Sequence, residues 1–331
     1  MSTTETAAPR RIDWLGFLSR YGTIISLVVL IVIFSLGRPE VFPSVRNMFN
    51  ILNQISILGI IALGLTVCLV VGLFDLSIGA MATFGGYFAA RFLMEMDSDS
   101  VWAVAFVILS VLALAMLIGM INGALTSYLG ISPIVETLAM SFIVTGVILG
   151  VSGGRTVNSS DIPMAFQVIG QGRIWGIPAP VLILIGTVFV LWLFLEHTQW
   201  GRNMYAIGGN REAARLSGIS FQKYALIAMA IGAGCAALGG LVAGANLGVG
   251  RPQGVGETYL LNAFVAVFIG ASTLKPGRFH VLGTAVGVLL IGVINNGLST
   301  MGVATFWQYI VQGTILILAL ISASVNSVRR A

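Results

Sequence analysis

Ten stretches of this chain are long and almost uniformly apolar, and they leave few folds open to it. They lie at about 21–36, 51–72, 77–94, 101–121, 132–151, 179–195, 224–247, 258–273, 281–299 and 307–325. Several approach the roughly 20 residues that a helix needs to cross a bilayer. Between them there is little charge: 9% of the 331 residues are Asp, Glu, Lys or Arg, where a soluble domain carries about a quarter. The reading is an all-α polytopic membrane protein with about ten transmembrane helices.

Orientation follows from the basic residues, which accumulate on the cytoplasmic side. With the N-terminus inside, Arg10, Arg11, Arg20, Arg202, Arg211, Arg215, Lys223, Lys275, Arg278, Arg329 and Arg330 face the cytoplasm. Arg38, Arg46, Arg91, Arg155, Arg173 and Arg251 face outside, so the 17 basic residues divide eleven to six. The acids Glu95, Asp97 and Asp99 share an outside loop. Both termini are therefore expected inside, which requires an even number of spans. The basic flank before 21–36 resembles a signal peptide, but FSLGRPEVF offers no small-x-small cleavage site, so the run reads as an uncleaved first span. The domain plan is a tail over 1–20, one membrane domain over 21–325 and a tail over 326–331. Two connections are long: 152–180 outside, rich in Gly, Pro and Ser and suited to docking or gating, and 197–223 inside.

Several function classes are excluded by what is missing. The basic residues form no dense patch interleaved with aromatics, which argues against nucleic-acid binding. Cys68 and Cys235 stand alone, without C-x-x-C or Cys/His clustering, and read as small packing residues. With His197 and His280 as the only histidines, no metal-ligand spacing and no paired carboxylates, an enzyme is a poor reading. An ATPase needs G-x-x-x-x-G-K-[ST]. The two lysines, Lys223 in QKY and Lys275 in LKP, do not fit it, so any energy comes from a partner or an ion gradient.

Within the inside loop lies GGNREAARLSGIS, 208–220, which reads as a complete two-turn helix. Asn210 can cap its N-terminus. Glu212 in the first turn and Arg215 in the last match the helix dipole and are i,i+3 neighbours. Gly218 can take the left-handed conformation that ends the helix, and Gly208–Gly209 loosen the chain before it. So short a helix needs a packing partner. Ala213 and Ala214 permit close approach and Leu216 is an apolar knob, so the stretch is either a connector lying on its own protein or a handle for a second, cytoplasmic one.

The stretch GGNREAARLSGIS closely resembles the coupling segment of permease subunits in bacterial sugar-class ABC importers of the ribose, xylose and galactoside type. The resemblance runs from about residue 40 to near the end, through 45–80, NGALTSYLGISPIVETLAM (122–140), GRIWGIPAPVLI (172–183) and 281–319. It implies an inner-membrane importer subunit that is no enzyme and carries no cofactor, with ATP and Mg bound by a cytoplasmic ABC ATPase. That motor acts through Gly209, Asn210, Arg211, Glu212, Ala213, Ala214, Arg215, Leu216 and Gly218. A periplasmic sugar-binding protein delivers a monosaccharide or small polyol, and a second permease copy completes a homodimer in the lipid bilayer. Two stretches depart from the family: Glu136 in SPIVETL, and IGASTLKPGRFHVLGT (269–284), where Lys275-Pro276 stiffens a turn and adds charge.

A passage for sugars calls for neutral hydrogen-bonding groups and aromatic faces. The candidates are Asn53, Gln54, Asp75, Ser77, Asn262, Asn295, Asn296, Trp307 and Gln308, although amides in spans more often join helices than touch a permeant. Asp75 in GLFDLSIG stands at a break between spans, where it or Ser77 can cap the next helix. Glu136 is expected to snorkel to the nearby interface. The alternative is a proton- or sodium-coupled secondary transporter using Asp75 and Glu136. Finally, NGALTS (122–127) and NGLST (296–300) close the fourth and ninth spans on opposite sides, as an inverted repeat of spans 2–5 and 7–10 would leave them.

Overall fold

Helix follows helix along almost the whole chain, because a backbone in lipid must satisfy its polar groups within its own segment. The structure, a computed structural model, describes residues 14–96 and 98–328. Arg10, Arg11, Asp97, Arg329 and Arg330 lie outside the described residues. The long helices are α1 (Trp14–Gly37), α2 (Val45–Val70), α3 (Ile78–Met96), α4 (Val101–Tyr128) and α5 (Pro133–Ser152). A short α6 (Met164–Gln171) and a two-stranded hairpin, β1 (Arg173–Ile174) and β2 (Ile177–Pro178), lead to α7 (Ala179–Trp192). After α7 come a π turn (Leu193–His197), α8 (Gln199–Gly209) and α9 (Arg211–Leu216). The chain then runs through α10 (Phe221–Leu247), α11 (Gly256–Ala271), α12 (Val281–Thr300) and α13 (Thr305–Val328).

Among the described residues, six segments are both long and apolar enough to cross a membrane: Val45–Val70, Val101–Tyr128, Pro133–Ser152, Ala179–His197, Phe221–Leu247 and Val281–Thr300. The other expected spans are helical as well, but α3 carries Arg91 and Glu95 and α11 has only 16 residues. Helix α2 begins six residues before its expected span. Ser44 caps it by accepting from the Asn47 N–H, and the polar turn RNMFN is helical though not apolar. Helix α4 likewise runs on through NGALTSY to Tyr128.

At the centre stands α10, whose middle is Gly232, Gly234, Cys235, Ala236, Ala237, Gly239 and Gly240. Small side chains let α2, α3 and α4 approach it backbone to backbone, the packing that lipid-embedded helices favour in the absence of a hydrophobic drive. A Cβ on Gly240 would overlap the Ala82 carbonyl oxygen, and one on Gly85 would overlap that of Ala237. Cys68 and Cys235 are free thiols in this packing, with Cys68 Sγ donating to the Ala228 carbonyl at 3.4 Å.

The packing partners interchange between two blocks, α2–α5 and α10–α13. Helix α10 packs on α3 and α4 as α2 packs on α11 and α12, and α3 packs on α4 and α5 as α11 packs on α12 and α13. The two short motifs sit at corresponding helix ends but make different bonds. Asn122 donates to Ser77 at 3.1 Å, whereas Asn296 pairs with Asn47.

Around this centre, α4, α5 and α7 turn outward an unbroken apolar face that includes Trp102, Phe106, Phe142 and Phe189. Such a face calls for lipid or another protein. The basic residues gather at the two ends of the bundle. Arg202, Arg211, Lys223, Lys275 and Arg278 belong to segments that touch one another, as in Lys223 over the Trp200 ring and Arg278 over Tyr205. At the other end, Arg173 lies over Phe49, and Arg91 and Arg155 share one pocket.

The long connection 152–180 is structured rather than irregular. It forms a 3-10 turn, α6 and the β hairpin, and Val157 pairs with Gly250 in an antiparallel bridge. The Gln171 amide donates to the Asn246 carbonyl at 3.2 Å, fastening α6 to the end of α10.

Substituting Gly240→Leu is expected to abolish the monodisperse folded protein in detergent size-exclusion, by driving a side chain into the α3 backbone. Gly146→Leu, where a Cβ meets nothing within 4 Å, is expected to leave the profile unchanged.

Candidate functional site

The helix α9 forms where the sequence places it. The Asn210 side chain accepts from the Ala213 N–H at 2.9 Å, and Gly218 takes φ +78° just beyond the last turn. The Arg215 guanidinium forks onto Glu212, with Nε donating at 3.1 Å and Nη2 at 2.5 Å. Both partners are well exposed, so this pair shapes the surface more than it stabilises the fold. Ala214 is the buried contact, while Leu216 is 77% exposed, an apolar side chain without cover. Arg211 lies over the Phe221 ring, 3.4 Å from its centroid, and ties the start of α9 to the start of α10. Between them runs a groove of about 620 Å³ lined by Arg211, Glu212, Arg215, Ile219, Phe221 and Gln222.

The preceding glycines do not loosen the chain. Gly208 and Gly209 form the last turn of α8, and a Cβ on Gly208 would overlap the Val70 carbonyl oxygen at the end of α2. At Gly208 the missing side chain serves close approach, whereas a Cβ on Gly209 would meet nothing within 4 Å.

Helix α8 is also held by a polar cluster close to this approach. Tyr205 Oη donates to Glu196 Oε1 at 3.2 Å, and Lys275 Nζ donates to Glu196 Oε2 at 2.6 Å. The Arg278 guanidinium sits 4.6 Å from the Tyr205 ring centroid. Burial and the Glu196 carboxylate raise the Tyr205 phenol, so it stays protonated as the donor. His280 is buried beside the same loop with Nδ1 at 3.0 Å from the Arg278 carbonyl, and burial holds its imidazole below the usual value.

The polar residues proposed for a passage do not converge on one site, and three of them sit in separate interhelical amide pairs. Asn53 donates to Asn246 at 3.3 Å, and Gln312 donates to Asn295 at 2.8 Å. Asn296 and Asn47 exchange both hydrogen bonds, at 2.9 and 3.0 Å. Asn262 donates to the Thr258 carbonyl of its own helix, and Gln308 to the Val303 carbonyl. Gln54 and Trp307 are exposed. Asp75 and Ser77 share one buried turn. Asp75 Oδ1 accepts from the Ser77 N–H at 2.8 Å and from its hydroxyl at 2.6 Å, and Asn122 donates to that hydroxyl.

Glu136 does not snorkel. It is 5% exposed, in the first turn of α5, where the helix N-terminus favours an acid. Span position alone suggested an escape to the interface, but α5 packs against α3 and α4 and the side chain is buried within the bundle.

The sequence singled out one member of each amide pair and missed its partner: Asn47, Asn246 and Gln312 carried no local signal. The bond of Lys275 to Glu196 was also invisible, since 79 residues separate them.

A family model described as "Branched-chain amino acid transport system / permease component" matches residues 47–320. The chain is 35% identical over 322 residues to the ribose import permease protein RbsC of Escherichia coli K12, covering 96% of this chain and 98% of that one. It is 34% identical to the ribose import permease protein RbsC of Bacillus subtilis 168, covering 94% and 95%. It is 33% identical to the galactose/methyl galactoside import permease protein MglC of Escherichia coli K12, covering 96% and 98%. No solved structure matches.

Removing the cap with Asn210→Ala is expected to cost α9 about 1 kcal/mol. Hydrogen exchange of amides 211–216 should accelerate severalfold while the thermal midpoint of the whole protein holds.

Proposed function

The chain belongs to the family of transport-system permease components, and from that premise we propose that it is the membrane subunit of an ATP-driven ABC importer for a monosaccharide or related small polyol. The family description names amino acids, but the relatives that span nearly the whole chain are named for sugars, and the substrate reading follows them. In this reading ten helices cross the inner membrane, both termini are cytoplasmic, and two copies meet with the passage near their interface. A periplasmic binding protein presents the sugar. A cytoplasmic ATPase, which holds ATP and Mg, supplies the force.

The observation that carries the proposal is α9. It is a capped helix packed on α8 and tied to the start of α10 through Arg211, and it presents uncovered Leu216 beside the Glu212–Arg215 fork. An isolated helix this short is unstable in water, so a rigid, exposed one suits reception of a push from outside the chain. ATP binding that draws two nucleotide sites together would move α9 as a rigid body. Arg211, Glu212 and Arg215 orient that contact, and Ala213, Ala214 and Leu216 pack it.

Along the passage, Asn53, Gln54, Asp75, Ser77, Asn262, Asn295, Asn296, Trp307 and Gln308 offer hydrogen-bonding groups and one aromatic face. Their dispersal, most of them engaged by other residues, suits a weak, slippery route rather than a tight site, with specificity left to the binding protein. The ion-coupled alternative is not retained. Asp75 is engaged in the turn before α3, and the relatives reported are named as permease proteins of import systems.

Leu216→Asp combined with Glu212→Lys is expected to abolish co-purification of a two-site ATPase from detergent-solubilised membranes, while the altered permease still inserts and elutes as one species. Equal recovery of the ATPase with both forms would overturn the handle.

A further inference from the structure

Displacement of α9 can reach the membrane domain directly, through Arg211 on Phe221 at the start of α10, or by way of α8, which has two points of purchase. One is the close approach of Gly208 to the end of α2. The other is the polar cluster beside it, where Glu196 uses both carboxylate oxygens: Oε1 accepts from Tyr205 of α8 and Oε2 accepts from Lys275. Lys275 belongs to the turn between α11 and α12, so this carboxylate ties three segments together.

The turn is built to pass on what it receives. Gly277 N–H donates to the Ala271 carbonyl at 2.8 Å, and Leu274 takes φ +60° while Gly277 takes φ +79°, which together fold the turn tightly against the end of α11. Phe279 then stands edge-on to Phe268, with centroids 5.5 Å apart. Phe268 stacks with Phe264 on α11 and with Phe74, in the connection between α2 and α3. A route therefore runs from α8 through the side chains of Tyr205, Glu196 and Lys275, and along the backbone of the turn to Phe279 and the aromatic stack. Glu196 itself sits in the π turn that closes α7, a wider turn of the kind that often marks functional positions. Its side chain is 21% exposed against 48% for Lys275, so the pair is partly shielded from water and weakened only in part by salt.

We propose that the Lys275–Glu196 ion pair is the link through which motion of the ATPase-coupling segment reaches α11 and α12. Both are positioning residues: they touch neither nucleotide nor sugar, and they act by keeping the α11–α12 turn in step with α8. The inference rests on the importer reading above and deepens it. It also gives a role to the Lys275-Pro276 stretch, which sets this turn apart.

The test uses the full permease assembled with its ATPase in lipid nanodiscs. One spin label is placed at Ser217, on the coupling segment, and in a separate sample one is placed at Leu282, at the exposed start of α12. In the unaltered complex both labels are expected to respond to ATP with vanadate. In Lys275→Ala and in Glu196→Gln, the Ser217 response should persist while the Leu282 response falls by about fivefold or more, the scale of a modest coupling between sites. Lys275→Arg should retain the response. The charge exchange Lys275→Glu with Glu196→Lys should restore it, which a purely structural role in folding would not produce. An unchanged Leu282 response in Lys275→Ala, with Ser217 still responding, overturns the link alone. So does failure of both Lys275→Arg and the charge exchange to support the response. Absence of any Ser217 response in the unaltered complex overturns the importer reading, and the link with it.

Discussion

Backbone-to-backbone contact along α10 is the constraint on which the other elements depend. Within lipid there is no hydrophobic gain from pressing one apolar helix on another, so association relies on close packing and on a few hydrogen bonds. The Gly and Ala run of α10 brings α2, α3 and α4 near enough for both. Once those helices are placed, the ends of α2 and α10 fix where α8 and α9 emerge. The close approach of Gly208 to Val70 and the seat of Arg211 on Phe221 are consequences of that placement. The handle is therefore held by the same packing that builds the membrane domain.

The division of labour among polar groups follows from the same solvent. A buried amide or hydroxyl left alone in a membrane interior is costly, and most of those in the spans have found a partner on a neighbouring helix. The reciprocal Asn47–Asn296 pair joins α2 to α12, and the Thr66 and Thr284 hydroxyls, 2.7 Å apart, join the same two helices lower down. Such pairs fix register between helices. Gln54 and Trp307, by contrast, stay exposed.

Hydropathy made the helices legible, because each span must bury its own backbone and does so with uninterrupted apolar side chains. Their ends were less legible where a helix continues through polar residues, as at RNMFN in α2 and NGALTSY in α4. The short helix α9 could be read residue by residue, since capping, charge order and a terminal glycine are all local. Contacts across the chain could not. Glu136 looked free to reach the interface because its cover comes from other helices, and Gly208 looked flexible because the α2 carbonyl it abuts lies 138 positions away in the sequence. Lys275 stood out as unusual, but nothing local to it named Glu196.

The most direct test of ATP-driven import is uptake of labelled pentoses and hexoses into inner-membrane vesicles carrying the permease, its ATPase and the binding protein. The account predicts that uptake of at least one sugar requires internal ATP and survives ionophores that collapse the proton and sodium gradients. Uptake that persists without the ATPase and is abolished by those ionophores would contradict it.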